Sequence, residues 1–294
     1  MWYNENKYTN CSNYTQGVIK INIFDELDFL SEEDINSLRN FFEESHKAFL
    51  KKLNMTEEDY NAFCEPYLKE ASAFTDLIKA QKGNKQLLEK SLLEHAFREE
   101  KSRGGESIHR GFYCPSLIQD IVVGNCKRGS LCKSNNPKAT YTHYFDSNNN
   151  HIATRRQDGK FIATEYILYD NNKSLGIMFD GMNQLETIAE CEYDEDGRIL
   201  KYVLALCDTK NDTVIEFYKE FYTYSKENIV VETSNLNCNI SPVLLSLNKY
   251  SFRVESGLLK KYTVEVFDNE DISGQPLNTR CYNVKIKRKT LTKD

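Results

Sequence analysis

Proline is scarce in this chain: five occur among 294 residues, and none lies between Pro137 and Pro242. A run that long without proline suits paired strands, which exclude it. No stretch of 18 consecutive apolar residues occurs, so no membrane-spanning helix is expected. The opening "MWYNENKYTNCSNYTQG" has neither a basic segment nor an apolar run, and no export signal is expected from it. A basic excess is also lacking: the formal net charge is −6, which argues against a general nucleic-acid binder. Nine cysteines are present, an odd number with no C-x-x-C pair. That pattern predicts reduced thiols in a cytoplasm, packed as small hydrophobes, rather than a disulfide scaffold. The signatures G-x-S-x-G, H-E-x-x-H, G-x-x-x-x-G-K-[ST] and G-x-G-x-x-G are all missing, so the commoner hydrolase, zinc-protease and nucleotide-binding classes have no local support.

Two textures remain. In the first, "VIKINIF" (18–24) alternates with period two and predicts a strand. The period then lengthens. Ser31 and Asp34 stand three apart ahead of a helical apolar pattern, and Thr56 and Asp59 repeat that capping arrangement. Pro66 is expected to break or restart the second helix, and Gly83 to stop it. A third helix is expected over 84–103, ending at Gly104-Gly105. The second texture begins at Lys138. Twelve of the 18 tyrosines lie at or beyond Tyr141, and turn clusters such as "DSNNN", "QDGK", "DNNK" and "DEDGR" recur between apolar runs. Short turns between successive strands predict an antiparallel meander of roughly eight to eleven strands. The expected fold is therefore α+β. Residues 1–105 form an N-terminal strand and helical region, 106–137 a connector, and 138–294 a large antiparallel sheet.

The stretch Tyr193-Asp194-x-x-Gly197-Arg198-Ile199 reads as an aromatic strand end, an Asp-headed turn, a glycine at positive φ and an aliphatic return. Looser copies begin at Phe145-Asp146, Tyr169-Asp170 and Phe179-Asp180, at spacings of 24, 10 and 14 that keep no fixed period. Residues 138–230 thus resemble the YD-repeat and MORN-like hairpin sheets, whose core is Y-D-x-x-G-R-L. Some such proteins occur in bacterial toxin systems, and the resemblance implies a sheet-building motif without catalysis.

Candidate chemistry is sparse. "IHRGFYCP" offers His109 as a base, Arg110 as an anion clamp and Cys114 as a thiol nucleophile; the plainer reading, a turn followed by a buried cysteine, is preferred. Cys114, Cys126 and Cys132 with His109 or His143 are too widely spaced for the usual zinc pairs, so no metal and no cofactor are expected. Residues 25–59 carry eleven acidic side chains against four basic ones. This surface, with Glu32 and Glu33, suits a basic partner such as a toxin. On "TVIEFYKEFYTY", Phe217 and Phe221 share one side, expected to face the helices. Tyr218, Tyr222 and Tyr224 share the other, expected to be at least partly exposed and offered as a partner surface. The sequence favours a non-enzymatic protein-binding module, with an immunity protein or antitoxin as its sharpest form. The alternative is an enzyme with a dispersed site near the connector, using Cys114 or a carboxylate.

Overall fold

A computed structural model describes residues 31–53, 55–103, 109–123, 129–133, 139–238, 244–256, 258–267 and 278–283. The strand expected at 18–24, Cys126 and residues 284–294 lie outside the described residues. Among the described residues, three helices come first: α1 (Glu32–Leu53), α2 (Glu57–Gln81) and α3 (Lys85–His95). Thr56 caps α2 as its spacing with Asp59 predicts. The Asp59 N–H donates to Thr56 Oγ1 at 3.1 Å, and Asp59 Oδ2 accepts from the Thr56 N–H at 3.1 Å. Pro66 does not break α2, which runs unbroken through it. Packing of α2 on the sheet compensates for the backbone hydrogen bond that proline cannot donate.

The third helix is shorter than the sequence pattern suggests. It stops at His95, where Ala96 turns extended, and the Phe97 N–H donates to the Phe145 carbonyl at 2.8 Å. The following residues form β1 (Arg98–Arg103) and pair with β3 (Tyr141–Phe145). Inter-strand pairing overrides the helical propensity of "REEK" here.

Among the described residues, thirteen strands make one antiparallel sheet, more than the turn signals suggest. β3 to β13 (Asn278–Asn283) follow in sequence order, each beside the next. β1 and β2 (Ser130–Cys132) extend the sheet beyond β3, with β1 lying between β3 and β2. The sheet therefore starts well before Lys138, inside the regions expected to be helical and connecting.

One turn design recurs. At Asp146, Asp180 and Asp194 the chain closes over four further residues, and the fourth position from the start is left-handed: Asn149 (φ 67°), Asn183 (φ 68°) and Gly197 (φ 73°). Each aspartate carboxylate accepts backbone N–H groups from its own turn at 2.7–2.9 Å. Asp146, Asp170 and Asp194 head the connections β3–β4 (β4, His151–Asp158), β5–β6 (β5, Phe161–Asp170; β6, Lys173–Phe179) and β7–β8 (β7, Leu185–Tyr193; β8, Ile199–Asp208). They stand 24 residues apart, one hairpin each, on the same end of the sheet. The copy at Phe179-Asp180 sits on the opposite end, and mixing the two ends hides the period.

The helices cover one face of the sheet. α2 lies across β7, β8 and β9 (Thr213–Tyr224), and α3 rests on β5. Tyr60, Cys64 and Ile78 pack with Ile177, Ile188, Val203 and Phe217 in an apolar layer, and Phe74 meets the Phe217 ring edge-on at 5.1 Å. The other face is also covered. Residues 109–123 cross it as a strap, and Leu117, Ile118 and Ile121 pack with Cys191, Tyr202, Tyr222, Ile229 and Phe252.

Candidate functional site

Pro115 forces Cys114 into an extended backbone (φ −54°, ψ 121°), so the strap cannot be one continuous helix. It is built instead from a tight turn at Gly111–Tyr113 and a widened turn at Ile118–Val123. Arg110 and Gly111 are both left-handed, at φ 57° and 54°. Glycine suits this conformation; arginine does not, and its side chain must be held by its surroundings.

Those surroundings are charged and buried. Arg110 Nε donates to Glu165 Oε1 at 3.0 Å, and His109 Nε2 lies 2.7 Å from the same oxygen. The side chains of all three are no more than 5 % exposed. Burial alone would raise the Glu165 carboxyl. The facing charges of His109 and Arg110 outweigh it and hold the group down at about 2. His109 Nδ1 makes a 3.1 Å contact with the Tyr202 hydroxyl on β8. The cluster closes against Gly176 on β6, where an added Cβ would lie 2.0 Å from Glu165 Oε1 and 3.0 Å from Arg110 Nη2. Arg110 Nη2 and Glu165 Oε2 remain buried without a hydrogen-bond partner.

Further along, Ser116 Oγ donates to Glu220 Oε1 at 2.5 Å, and the Tyr222 hydroxyl donates to Glu220 Oε2. The Tyr222 oxygen accepts the Leu117 N–H at 3.0 Å. Burial, then the neighbouring Glu220 charge, raises the Tyr222 phenol well above its ordinary range. Tyr113 reaches β1, next to the edge strand β2, where its hydroxyl donates to Glu100.

The structure brings His109 and Arg110 together, as their adjacency requires, but around Glu165 and not around a thiol. Both imidazole nitrogens of His109 face other groups, and Cys114 Sγ donates to the Ser116 carbonyl at 3.6 Å. Cys114 is 2 % exposed, so the candidate base–thiol pair is not assembled, and a turn followed by a buried cysteine is what the strap presents. The tyrosine side, expected to be at least partly exposed, is so at two of its three positions. Tyr222 is buried, Tyr218 and Tyr224 are half-buried, and Tyr224 donates to the Ile199 carbonyl at 2.9 Å, because the strap and its neighbours cover that face. On the opposite side Phe217 is buried as expected, but Phe221 is 45 % exposed. Glu32 and Glu33 begin α1; Glu33 is exposed and lines a shallow open depression with Asn36, Ser37 and Asn40, while the Glu32 side chain is outside the described ones. Cys114 and Cys132 are not disulfide-bonded, and among the described residues no group of three His, Cys, Asp or Glu side chains is assembled to hold a metal.

Glu165, Tyr202, Glu220 and Gly176 complete the cluster and are absent from the sequence-based candidates. A signal existed for three of them. Glu165 is the one acidic residue within "FIATEYILY", Glu220 interrupts an aromatic strand, and Gly176 stands alone inside "SLGIMF". Nothing in the sequence marks Tyr202 apart from the other strand tyrosines. No protein family, curated protein or solved structure matches this chain. Among the described residues, no helix is long and apolar enough to cross a membrane.

Proposed function

We propose that this is a non-enzymatic binding module of α+β architecture that engages a basic protein partner through the outward acidic surface of α1 and α2. An immunity protein or antitoxin bound to its toxin is the form this reading takes. The observation that carries it is the fate of the reactive groups. His109, Arg110 and Cys114 in the strap, and Glu165 and Glu220 beneath it, are all engaged in buried contacts, and the central strands of the sheet are covered on both faces. The helical layer turns Glu33, Glu43, Glu44, Glu58 and Glu65 to solvent. Aromatic–aspartate turns every 24 residues support the likeness to hairpin-repeat sheets, in which the motif builds a scaffold.

Co-expression with the product of the adjacent reading frame tests the proposal. A basic protein that co-purifies is expected, with association slowed at least about tenfold by raised salt or by Glu33→Lys with Glu43→Lys. A neighbouring metabolic enzyme that does not bind, or association unchanged in the double variant, would remove this reading.

A further inference from the structure

The strap crosses two histidines. Tyr113 packs its ring against His143 at 4.9 Å and His151 at 5.1 Å between centroids, and against Phe145 at 5.4 Å. The two imidazoles lie 5.5 Å apart and share one hydroxyl: Thr154 Oγ1 is 3.2 Å from His143 Nδ1 and 2.8 Å from His151 Nε2. The other nitrogen of His143 meets Ser102 Oγ at 2.9 Å. Such a chain suits neutral rings. We propose that residues 109–123 are an acid-released strap: protonation of the His143–His151 pair beneath Tyr113 lifts them from the sheet while the helix-covered face stays packed.

The charges around the pair argue for this. From β1, Glu100 faces His143, but it is already paired with Arg98 and accepts from Tyr113. From the strap, Arg110 adds a positive charge near His151; from β5, Glu165 opposes it, yet that carboxylate already serves His109 and Arg110. Tyr141 stacks on His143 from β3 and brings no charge. A proton on either ring therefore gains no counter-charge of its own and faces the other ring. Burial holds His143 at about 4, and burial, His143 and Arg110 push His151 down as well. Once the strap lifts, water reaches both rings and their affinity returns toward about 6.5. Opening then takes up protons, so each pH unit below about 6.5 favours it up to about tenfold per histidine until the closed-state value near 4 is reached.

Four buried cysteines report the two faces separately. Cys114 lies in the strap and Cys191 beneath it, whereas Cys64 and Cys207 belong to the helix-covered layer. The whole protein is labelled with 4,4′-dithiodipyridine between pH 7.5 and 5, each site is located by peptide mass, and each rate is divided by that of the urea-unfolded chain at the same pH. Protection of Cys114 and Cys191 is expected to fall at least about tenfold between pH 6.5 and 5, while Cys64 and Cys207 change less than about twofold. His143→Gln is expected to flatten that dependence. If this variant does not fold, the four-site comparison in the unaltered protein decides alone. Loss of protection at all four sites together, or constant protection at Cys114 and Cys191, overturns the proposal.

Discussion

Gly176 has no side chain, and Glu165 fills the space where one would stand. A methyl group there would strike a carboxylate already held by Arg110 and His109, and none of the three can retreat into solvent. Gly176→Ala is expected to cost at least about 2 kcal/mol, at the upper part of the range for overpacking, measured as a lower urea midpoint. Titration provides a second test at this scale. His143 binds its proton less readily folded, at about 4, than unfolded, so its contribution to stability is complete above about 6.5 and is lost as pH falls toward 4. Glu165, held at about 2, adds a further loss that begins near its unfolded value of about 4.5. Unfolding free energy is expected to drop by about 2 kcal/mol from His143 alone between pH 7.5 and 5. A flat profile over that interval would contradict the burial of this ring. The sequence places His109 beside Arg110 for any reader, but a carboxylate 55 positions away decides what the two do. Their partner could be suspected only from the oddity of a glutamate within an apolar strand.

β9 shows how far an alternating pattern can be read. Period two correctly separates Phe217 from Tyr218 and Tyr222, because successive side chains must leave opposite faces. It says nothing about what lies over each face. A phenol at a strand position suits a wet surface, but it suits a covered one equally well when a buried carboxylate accepts its hydrogen bond, as Glu220 does from Tyr222. Phe217→Ala and Tyr222→Ala are therefore expected to destabilise comparably, by about 3–5 kcal/mol, whereas Phe221→Ala should cost less than about 1 kcal/mol. Urea midpoints of the three variants check this. A much smaller loss for Tyr222 than for Phe217 would mean that the strap contributes little cover. Turn chemistry was more legible than cover. Asp194 and Gly197 take the roles their spacing implies, and the 24-residue period becomes visible once strands are assigned to ends of the sheet. Helix endings were less legible, since Arg98–Arg103 carries a helical composition but pairs with β3.

At the scale of the whole molecule, the meander and the helices before it follow from composition and periodicity, while the burial of both faces of the central sheet does not. It depends on an irregular strap that propensity reads only as a connector. The strap turns the best catalytic candidates into ties between layers, and the proposed role in partner binding rests on that conversion. Alkylation of Cys114 at pH 7.5 tests it most directly. Iodoacetamide labelling of the native protein, with each site quantified by mass and compared with the unfolded chain, is expected to find Cys114 slowed by at least about a hundredfold and no faster than Cys191. Rapid alkylation of Cys114 alone, rising with pH as a single thiolate forms, would contradict it and return His109, Arg110 and Cys114 to consideration as an active site.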